Sequence, residues 1–318
     1  MKKVFITRKL AGSAETMLRR EGFKVKVFQD DSPIKRADLL KETIDADALI
    51  SLLTDTIDRE VIDNMRRCRI IANCAVGFNN IDVEYARSRN IVVTNTPDIL
   101  TDATADLTVA LVLACARRLR EGESMMRSNN FKGWKPQLLL GLEMKGKKVG
   151  IIGAGRIGFA AARRLKAFGT EIVYFGRTKK EKFEDELDAR KVSLNHLLKS
   201  SDIISVHLPL SSETKHLLNK ENLRLVKRSA VIVNTSRGEI IDEKMLIRLL
   251  KKKRIFAAGL DVYENEPGVN PELLKLENVF LLPHIGSATI ETRTGMAELC
   301  AKNVKNVLNR KSPLTPVW

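Results

Sequence analysis

Three short polar segments, each directly beyond an apolar run, hold the side chains with the most chemical potential. Residues 231–233 lead into Asn234, Thr235, Ser236, Arg237 and Gly238. Residues 257–260 lead into Asp261 and, a few positions on, Glu266, and residues 279–282 lead into Pro283 and His284. Short apolar runs of this kind read as buried parallel strands. The three segments then share the carboxyl edge of one sheet, where open α/β sheets bind ligands. A guanidinium, a carboxylate and an imidazole at one edge suit the reduction of a ketone beside a carboxylate. The guanidinium can clamp the carboxylate and polarise the ketone. The imidazole can give the ketone oxygen its proton, and a carboxylate at its other nitrogen would orient the ring and favour its charged form. Each residue alone has a plainer reading: an Arg-Gly pair after a strand is usually a turn, and a single histidine is usually structural. His196, His207 and His216 are read that way. It is the set that points to catalysis.

Such a reduction needs a hydride donor, and the chain offers a place for one. The apolar run 149–152 enters Gly153, Gly155 and Gly158 and then an alanine-rich segment. In a strand-turn-helix context Gly153 allows the tight turn and Gly155 lets a pyrophosphate approach the backbone. Gly158 lets the helix lie close on the strand, and Arg156 and Ile157 fall at the helix N-terminus, whose N–H groups face the anion. A tight βα turn without ligand is the plain alternative. NAD-binding versions carry an acidic residue roughly twenty positions on, for the ribose hydroxyls. Here the second strand, 171–175, runs into Gly176, Arg177, Thr178, Lys179 and Lys180. Arg177 can stack on adenine and grip a 2′-phosphate, with Thr178 and Lys179 assisting, where a carboxylate would repel it. The dinucleotide expected is NADP(H), with NAD(H) as second choice; a solvated basic cluster is the plain reading.

The elements that position these residues alternate strand and helix. Before residue 98, strands are expected at 4–6, 24–28, 48–53, 70–74 and 91–94, with amphipathic stretches such as 14–21 and 59–65 between them. That alternation predicts a parallel sheet with crossover helices. No glycine fingerprint follows its first strand. Two of its loops fall at strand carboxyl ends: residues 52–54, and residues 75–82, where Gly77 presents backbone N–H groups to an anion or simply turns the chain. A long helix is expected over 98–116, then a loop at 129–136 in which Trp134 packs within the chain or belongs to an interface. From 147 the alternation resumes as a doubly wound sheet, with strands at 149–152, 172–175, 191–192, 203–207, 231–233, 257–260 and 279–282. A helix at 288–308 follows; if it crosses back, the first domain is discontinuous.

Composition sets the limits. A chain of 318 residues predicts two domains, and 44% hydrophobic residues without an apolar run near ~18 residues predict a soluble protein rather than a membrane one. The start of the chain enters a strand without a signal-peptide core, so cytoplasm is the expectation. Cys68, Cys74, Cys115 and Cys300 are scattered, which predicts buried free thiols and no metal site. The net charge of +16 is spread through helices with no basic arm. It is read as a field for anionic cofactors and carboxylate substrates, not as a nucleic-acid footprint.

The run Asn234-Thr235-Ser236-Arg237-Gly238, the Gly259-Leu260-Asp261-Val262 segment with Glu266-Pro267, and the run from Pro283 through His284, Gly286 and Ser287 to Thr289 resemble the D-2-hydroxyacid dehydrogenase family. The likeness extends to Asn95-Thr96-Pro97 and residues 101–107, and so covers essentially the whole chain. Gly133-Trp134-Lys135-Pro136 and Phe175-Gly176-Arg177 are similar to the glyoxylate/hydroxypyruvate reductase branch. The resemblance implies two Rossmann-like domains: a discontinuous, flavodoxin-like substrate-binding domain (1–98 with 287–318) and a dinucleotide-binding domain (99–286). It implies a catalytic Arg237, Glu266 and His284; substrate contacts from Leu53, Val76, Gly77 and Trp134; and cofactor contacts from Thr104, Arg156, Ile157, Thr235, Ser236, Asp261 and Gly286 beside the glycine turn. It further implies reduction of a small 2-oxo acid by a homodimer in which Trp134 approaches the partner's active site. A dehydrogenase of another D-2-hydroxy acid and a nucleotide-sensing, corepressor-like binding protein are the alternatives. Glu266 stands where formate dehydrogenases of this family carry glutamine. The segment from 127 to 141 is compact, which leaves its substrate contacts open.

Overall fold

The structure, a computed structural model, describes residues 1–318, and the chain divides into two compact units. The first comprises Met1–Leu100 and Ser287–Trp318. Its strands are β1 (Lys3–Ile6), β2 (Lys24–Val27), β3 (Ala48–Ser51), β4 (Ile70–Asn73) and β5 (Val92–Thr94), all parallel, in the order β2-β1-β3-β4-β5. Crossovers run through α1 (Ala14–Arg20), α2 (Arg36–Thr43), α3 (Arg59–Asn64) and α4 (Val83–Ser88). Aspartates start two of them: Asp58 accepts from the Val61 N–H at 3.2 Å and Asp82 from the Tyr85 N–H at 3.0 Å. The central β3 and β4 are buried on both faces, as a sheet covered by helices requires.

The last helix (Ile290–Leu308) returns to this unit, and its tail covers the exposed edge of β5. Val317 N–H donates to the Val93 carbonyl at 3.1 Å, and Thr315 Oγ1 donates to the Asn95 carbonyl at 2.6 Å. Covering an open edge removes a surface prone to pairing with other chains. The first unit therefore draws on both ends of the chain.

The second unit, Thr101–Gly286, opens with α5 (Thr101–Ala116) and α6 (Leu119–Arg127). Its sheet has β6 (Lys148–Ile152), β7 (Glu171–Phe175), β8 (Arg190–Lys191), β9 (Ile203–Val206), β10 (Val231–Asn234), β11 (Ala257–Leu260) and β12 (Val279–Leu281). All are parallel, in the order β12-β11-β10-β9-β6-β7-β8, so the winding reverses beside β6. The helices are α7 (Arg156–Lys166), α8 (Glu181–Leu187), α9 (Leu194–Ser200), α10 (Glu243–Lys251) and α11 (Pro271–Leu274). Val149 and Ile151 join Tyr174 and Phe183 in one apolar layer, while Ile152 joins Leu197 and Val206 in the other. Alternation along β6 thus feeds both faces, and each such buried aliphatic side chain contributes about 1.5–3 kcal/mol. Ala105 of α5 packs on Ala160 and Ala161 of α7; these small side chains let the two helices approach closely.

Of the two readings of Trp134, packing within its own chain is not found: it is 81% exposed, in a segment where Phe131 and Leu140 are also exposed. α6, just before it, buries no residue although its apolar residues share a face. No helix is long and apolar enough to cross a membrane.

Candidate active site

Arg237 follows β10 in a turn that Asn234 closes. The buried Asn234 side chain accepts from Ser236 N–H at 3.0 Å and Ser236 Oγ at 2.8 Å, and donates to the Arg237 carbonyl at 2.8 Å. Arg237 Nη1 donates to the Ser236 carbonyl at 2.7 Å. Gly238 completes the turn against the loop after β11: a Cβ there would lie 1.9 Å from the Tyr263 carbonyl carbon. Only glycine lets the arginine turn and the glutamate loop touch. Burial lowers the pKa of the Arg237 guanidinium, against the charges of Glu266 and Glu239, yet an arginine so placed stays charged.

Glu266 sits between that arginine turn and His284. One carboxylate oxygen accepts from the Tyr263 N–H at 3.0 Å; the other meets His284 Nδ1 at 2.7 Å. Burial pushes this carboxyl up, but the His284 hydrogen bond and charge, the Tyr263 N–H and the Arg237 charge outweigh it and hold it below the ordinary value. Glu266 is therefore ionised at neutral pH, and it engages Nδ1, leaving Nε2 as the nitrogen that can face a substrate.

His284 has a φ of +55°, a left-handed conformation costing about 1–3 kcal/mol for a residue of this kind. Contacts on both sides hold it there. The fully buried Asp261 accepts from the Ile285 N–H at 2.7 Å and the Gly286 N–H at 2.8 Å. Thr104 Oγ1 donates to the Gly286 carbonyl at 3.1 Å, and Tyr263 OH donates to the Leu282 carbonyl at 2.8 Å. Burial raises the Asp261 pKa, opposed by the Ile285 N–H, the His284 charge and the Gly286 N–H. Both of its oxygens serve the histidine loop, as does the Thr104 hydroxyl. Thr235 Oγ1 pairs with Thr108 Oγ1 at 2.9 Å, tying the β10 turn to α5.

The glycine turn lies where the winding of this sheet reverses. Gly153 has a φ of +103°, and a Cβ there would lie 2.5 Å from the His207 carbonyl oxygen. A Cβ on Gly158 would lie 2.2 Å from the Gly153 carbonyl oxygen, so the helix start and the turn are in contact. Gly155, in contrast, faces open space and caps α7, whose first turn begins with Arg156 and Ile157. An open backbone at a helix N-terminus fits a pyrophosphate. Gly176 borders this turn, its Cβ position 3.9 Å from Ala154 N. Beyond it Arg177 and Thr178 are exposed, and Lys191 Nζ donates to the Arg177 carbonyl at 3.1 Å. Lys179 is turned to Glu184 at 2.8 Å. His207 lies behind the turn with Nε2 2.8 Å from Ser205 Oγ, and burial lowers its pKa to about 4.

In the first unit, Leu53 follows β3, and Val76 and Gly77 follow β4. Asparagines set these loops. Asn73 donates to the Gly77 carbonyl at 2.8 Å and Asn95 to the Val76 carbonyl at 2.8 Å. Asn80 donates to the carbonyls of Leu52 at 3.1 Å and Asp55 at 2.9 Å. With their carbonyls tied back, Val76 and Gly77 keep N–H groups that donate to nothing else, a backbone arrangement suited to an anion. The second unit brings Arg237, Glu266 and His284 together. The sequence reading overlooked Asn73, Asn80, Asn234, Gly238 and Tyr263 as positioning residues; the repeated signal was an asparagine at or near a strand end.

The chain is similar to known proteins along almost its whole length. Residues 109–286 match the family described as D-isomer specific 2-hydroxyacid dehydrogenase, NAD binding domain. The chain is 48% identical over 306 residues to a glyoxylate reductase of Thermococcus litoralis, covering 95% of this chain and 92% of that one. A Thermus thermophilus crystal structure superposes with a TM-score of 0.94 at 44% identity, covering 99% of this chain and 100% of that one. An NADPH-dependent glyoxylate/hydroxypyruvate reductase of Sinorhizobium meliloti, solved with NADP and malonate, gives a TM-score of 0.87 at 34% identity over 99% and 96% of the two chains.

Proposed function

The chain belongs to the D-isomer specific 2-hydroxyacid dehydrogenases, and from that footing we propose that it reduces glyoxylate and hydroxypyruvate to glycolate and D-glycerate with NADPH. The observation that carries this reading is the contact of Glu266 with His284 Nδ1 at 2.7 Å beside the half-buried Arg237. A nicotinamide bound beside these residues would supply the hydride for the 2-oxo carbon. Arg237 draws electron density towards the ketone oxygen and holds it. His284 delivers the proton to that oxygen from Nε2, while Glu266 stabilises the charged ring from the other side. The N–H groups of Val76 and Gly77, with Leu53 beside them, are assigned to the substrate carboxylate. Thr104, Thr235, Ser236, Asp261 and Gly286 would hold the nicotinamide when it is bound. The pyrophosphate is assigned to Gly153, Gly155, Arg156, Ile157 and Gly158.

NADPH is preferred because Arg177 and Thr178 stand exposed at the rim beside Gly176, and no carboxylate side chain lies between Phe175 and Lys180 to repel a 2′-phosphate. A charge-assisted contact of about 1.5–3 kcal/mol is worth roughly 10- to 100-fold. With glyoxylate as substrate, Arg177→Ala is therefore expected to lower kcat/KM for NADPH by that factor and to leave kcat/KM for NADH nearly unchanged. Equal losses with both nucleotides would remove Arg177 from cofactor selection. The exposed apolar residues Leu119, Met126, Phe131, Trp134 and Leu140 support a homodimer built on α6 and the segment after it. Sedimentation as a monomer would refute that assembly. Four buried free thiols suit a reducing cytoplasm.

A further inference from the structure

A third segment, the turn that follows β9, touches both the arginine turn and the glutamate loop. His216 sits in it with a φ of +49°, a left-handed backbone that glycine adopts readily and histidine rarely. Backbone hydrogen bonds hold it there. His216 N–H donates to the Glu239 carbonyl at 2.7 Å, Leu218 N–H to the Ile240 carbonyl at 3.0 Å, and Asp242 N–H to the Leu218 carbonyl at 2.8 Å. Residues 216–218 therefore run alongside 239–242, the segment that leaves Arg237 and Gly238. The His216 imidazole meets a carboxylate oxygen of Glu264 through Nε2. A non-glycine residue kept in this conformation invites a functional reason, and here it brings an imidazole to the glutamate loop.

Glu264 is where this loop leaves the body of the unit: Tyr263 is buried, Glu264 half-buried, and residues 265–268 exposed. Glu266 thus meets His284 from an exposed stretch, and Glu264 is the anchor just before it. The Glu264 N–H donates to the Glu243 carboxylate at 3.3 Å, a long hydrogen bond, and its side chain is held by His216. Burial raises the pKa of Glu243; the Glu264 N–H opposes the rise and the Glu264 charge adds to it. Two carboxylates this close push the loop outward unless Glu264 has a donor to hold it. A half-exposed pair of this kind adds little to overall stability. What it can set is the place of Glu266, two residues on. We propose that His216 is a positioning residue for the Glu266–His284 pair, holding the glutamate loop, through Glu264, where Glu266 meets His284 Nδ1. This rests on the reductase reading above and extends it to a residue that the sequence marks only as structural.

The test is kcat and KM for glyoxylate with NADPH, together with thermal unfolding. The proteins are the wild type, His216→Gly, His216→Gln, Glu264→Ala and the double variant His216→Gly/Glu264→Ala. Glycine suits the left-handed backbone and takes away only the imidazole, so the fold is kept. Glutamine keeps an N–H donor near the place of Nε2. In His216→Gly, kcat is expected to fall ~10-fold with KM within ~2-fold of wild type, because a small displacement of a catalytic group is costly. The unfolding temperature should stay close to that of the wild type. His216→Gln should recover most of the loss, and the double variant should be no worse than either single one, since both changes remove the same contact. A merely structural His216 would instead lower the unfolding temperature and leave kcat intact. Wild-type kcat in His216→Gly would overturn the assignment, as would equal losses in His216→Gly and His216→Gln, or losses that multiply in the double variant. A wild type inactive on both glyoxylate and hydroxypyruvate would refute the reductase reading and this inference with it. An active wild type with an unaffected His216→Gly refutes only the role of His216.

Discussion

At the carboxyl edge of the seven-stranded sheet the reactive side chains hold one another and the loops beside them: Glu266 holds His284, and Asp261 holds the two N–H groups just after it. At the same edge of the five-stranded sheet, asparagines hold carbonyl groups, and the N–H groups of Val76 and Gly77 are left for a ligand. The two edges share a fold logic and differ in what they fix. One fixes side chains whose charges must be set against each other for proton transfer. The other fixes the peptide backbone, which can receive a carboxylate without titrating. The first kind fails when a close contact is disturbed; the second degrades by one hydrogen bond at a time.

Gly238→Ala should have the largest effect of the changes that leave the charged groups in place. Its Cβ would meet the Tyr263 backbone at 1.9 Å, and backbone cannot swing aside as a flexible side chain can. The arginine turn and the glutamate loop must then part, with a loss of about 1–3 kcal/mol in stability and ~100-fold or more in kcat/KM on glyoxylate. An active, stable Gly238→Ala would show that the two loops need not touch.

Asn73→Ala should be milder. It leaves the Gly77 carbonyl and the Ser51 hydroxyl without that partner, costing about 1–2 kcal/mol in denaturant unfolding. Its kinetic effect should be a raised KM for the 2-oxo acid, because the loop that holds the carboxylate loosens while the proton donor is untouched. A fall in kcat with KM unchanged would erase the distinction between the edges.

How much of this was legible depended on how local the signal was. The central strands of both sheets stood out as apolar runs because buried parallel strands need no alternation, whereas the exposed edge pair β8, Arg190–Lys191, overlaps the strand expected at 191–192 by one residue. Arg237, Glu266 and His284 stood out because each is a chemically distinctive residue just past such a run. Asn234 and Tyr263 did not: Asn234 acts through hydrogen bonds inside its own turn, and Tyr263 through the Leu282 carbonyl on another segment. For Trp134 the sequence left two readings open, packing within the chain or an interface, because a large aromatic in a loop suits either; its exposure removes the first. The left-handed His284 could not have been foreseen either, since Asp261, Thr104 and Tyr263 fix it from separate segments.

The smallest effect concerns His207. Its pKa is lowered to about 4 by burial, against an ordinary value near ~6.5. The unfolded chain therefore binds its proton first. The stability it contributes is fully present above pH ~6.5 and is lost as pH falls towards about 4. Chemical denaturation of His207→Gln should show a flatter pH dependence across that window than the wild type. Identical slopes would mean that the ring is wetter than its place behind the glycine turn implies.

In the reduction we propose, His284, held by Glu266, is the proton donor. NADPH consumption with glyoxylate in His284→Ala, alongside NADPH binding by the same protein, tests it most directly. The expected result is a fall in kcat/KM of at least ~100-fold, the lower end for loss of a general acid, with NADPH binding retained. Turnover within a few-fold of wild type would make His284 a structural residue and contradict the account.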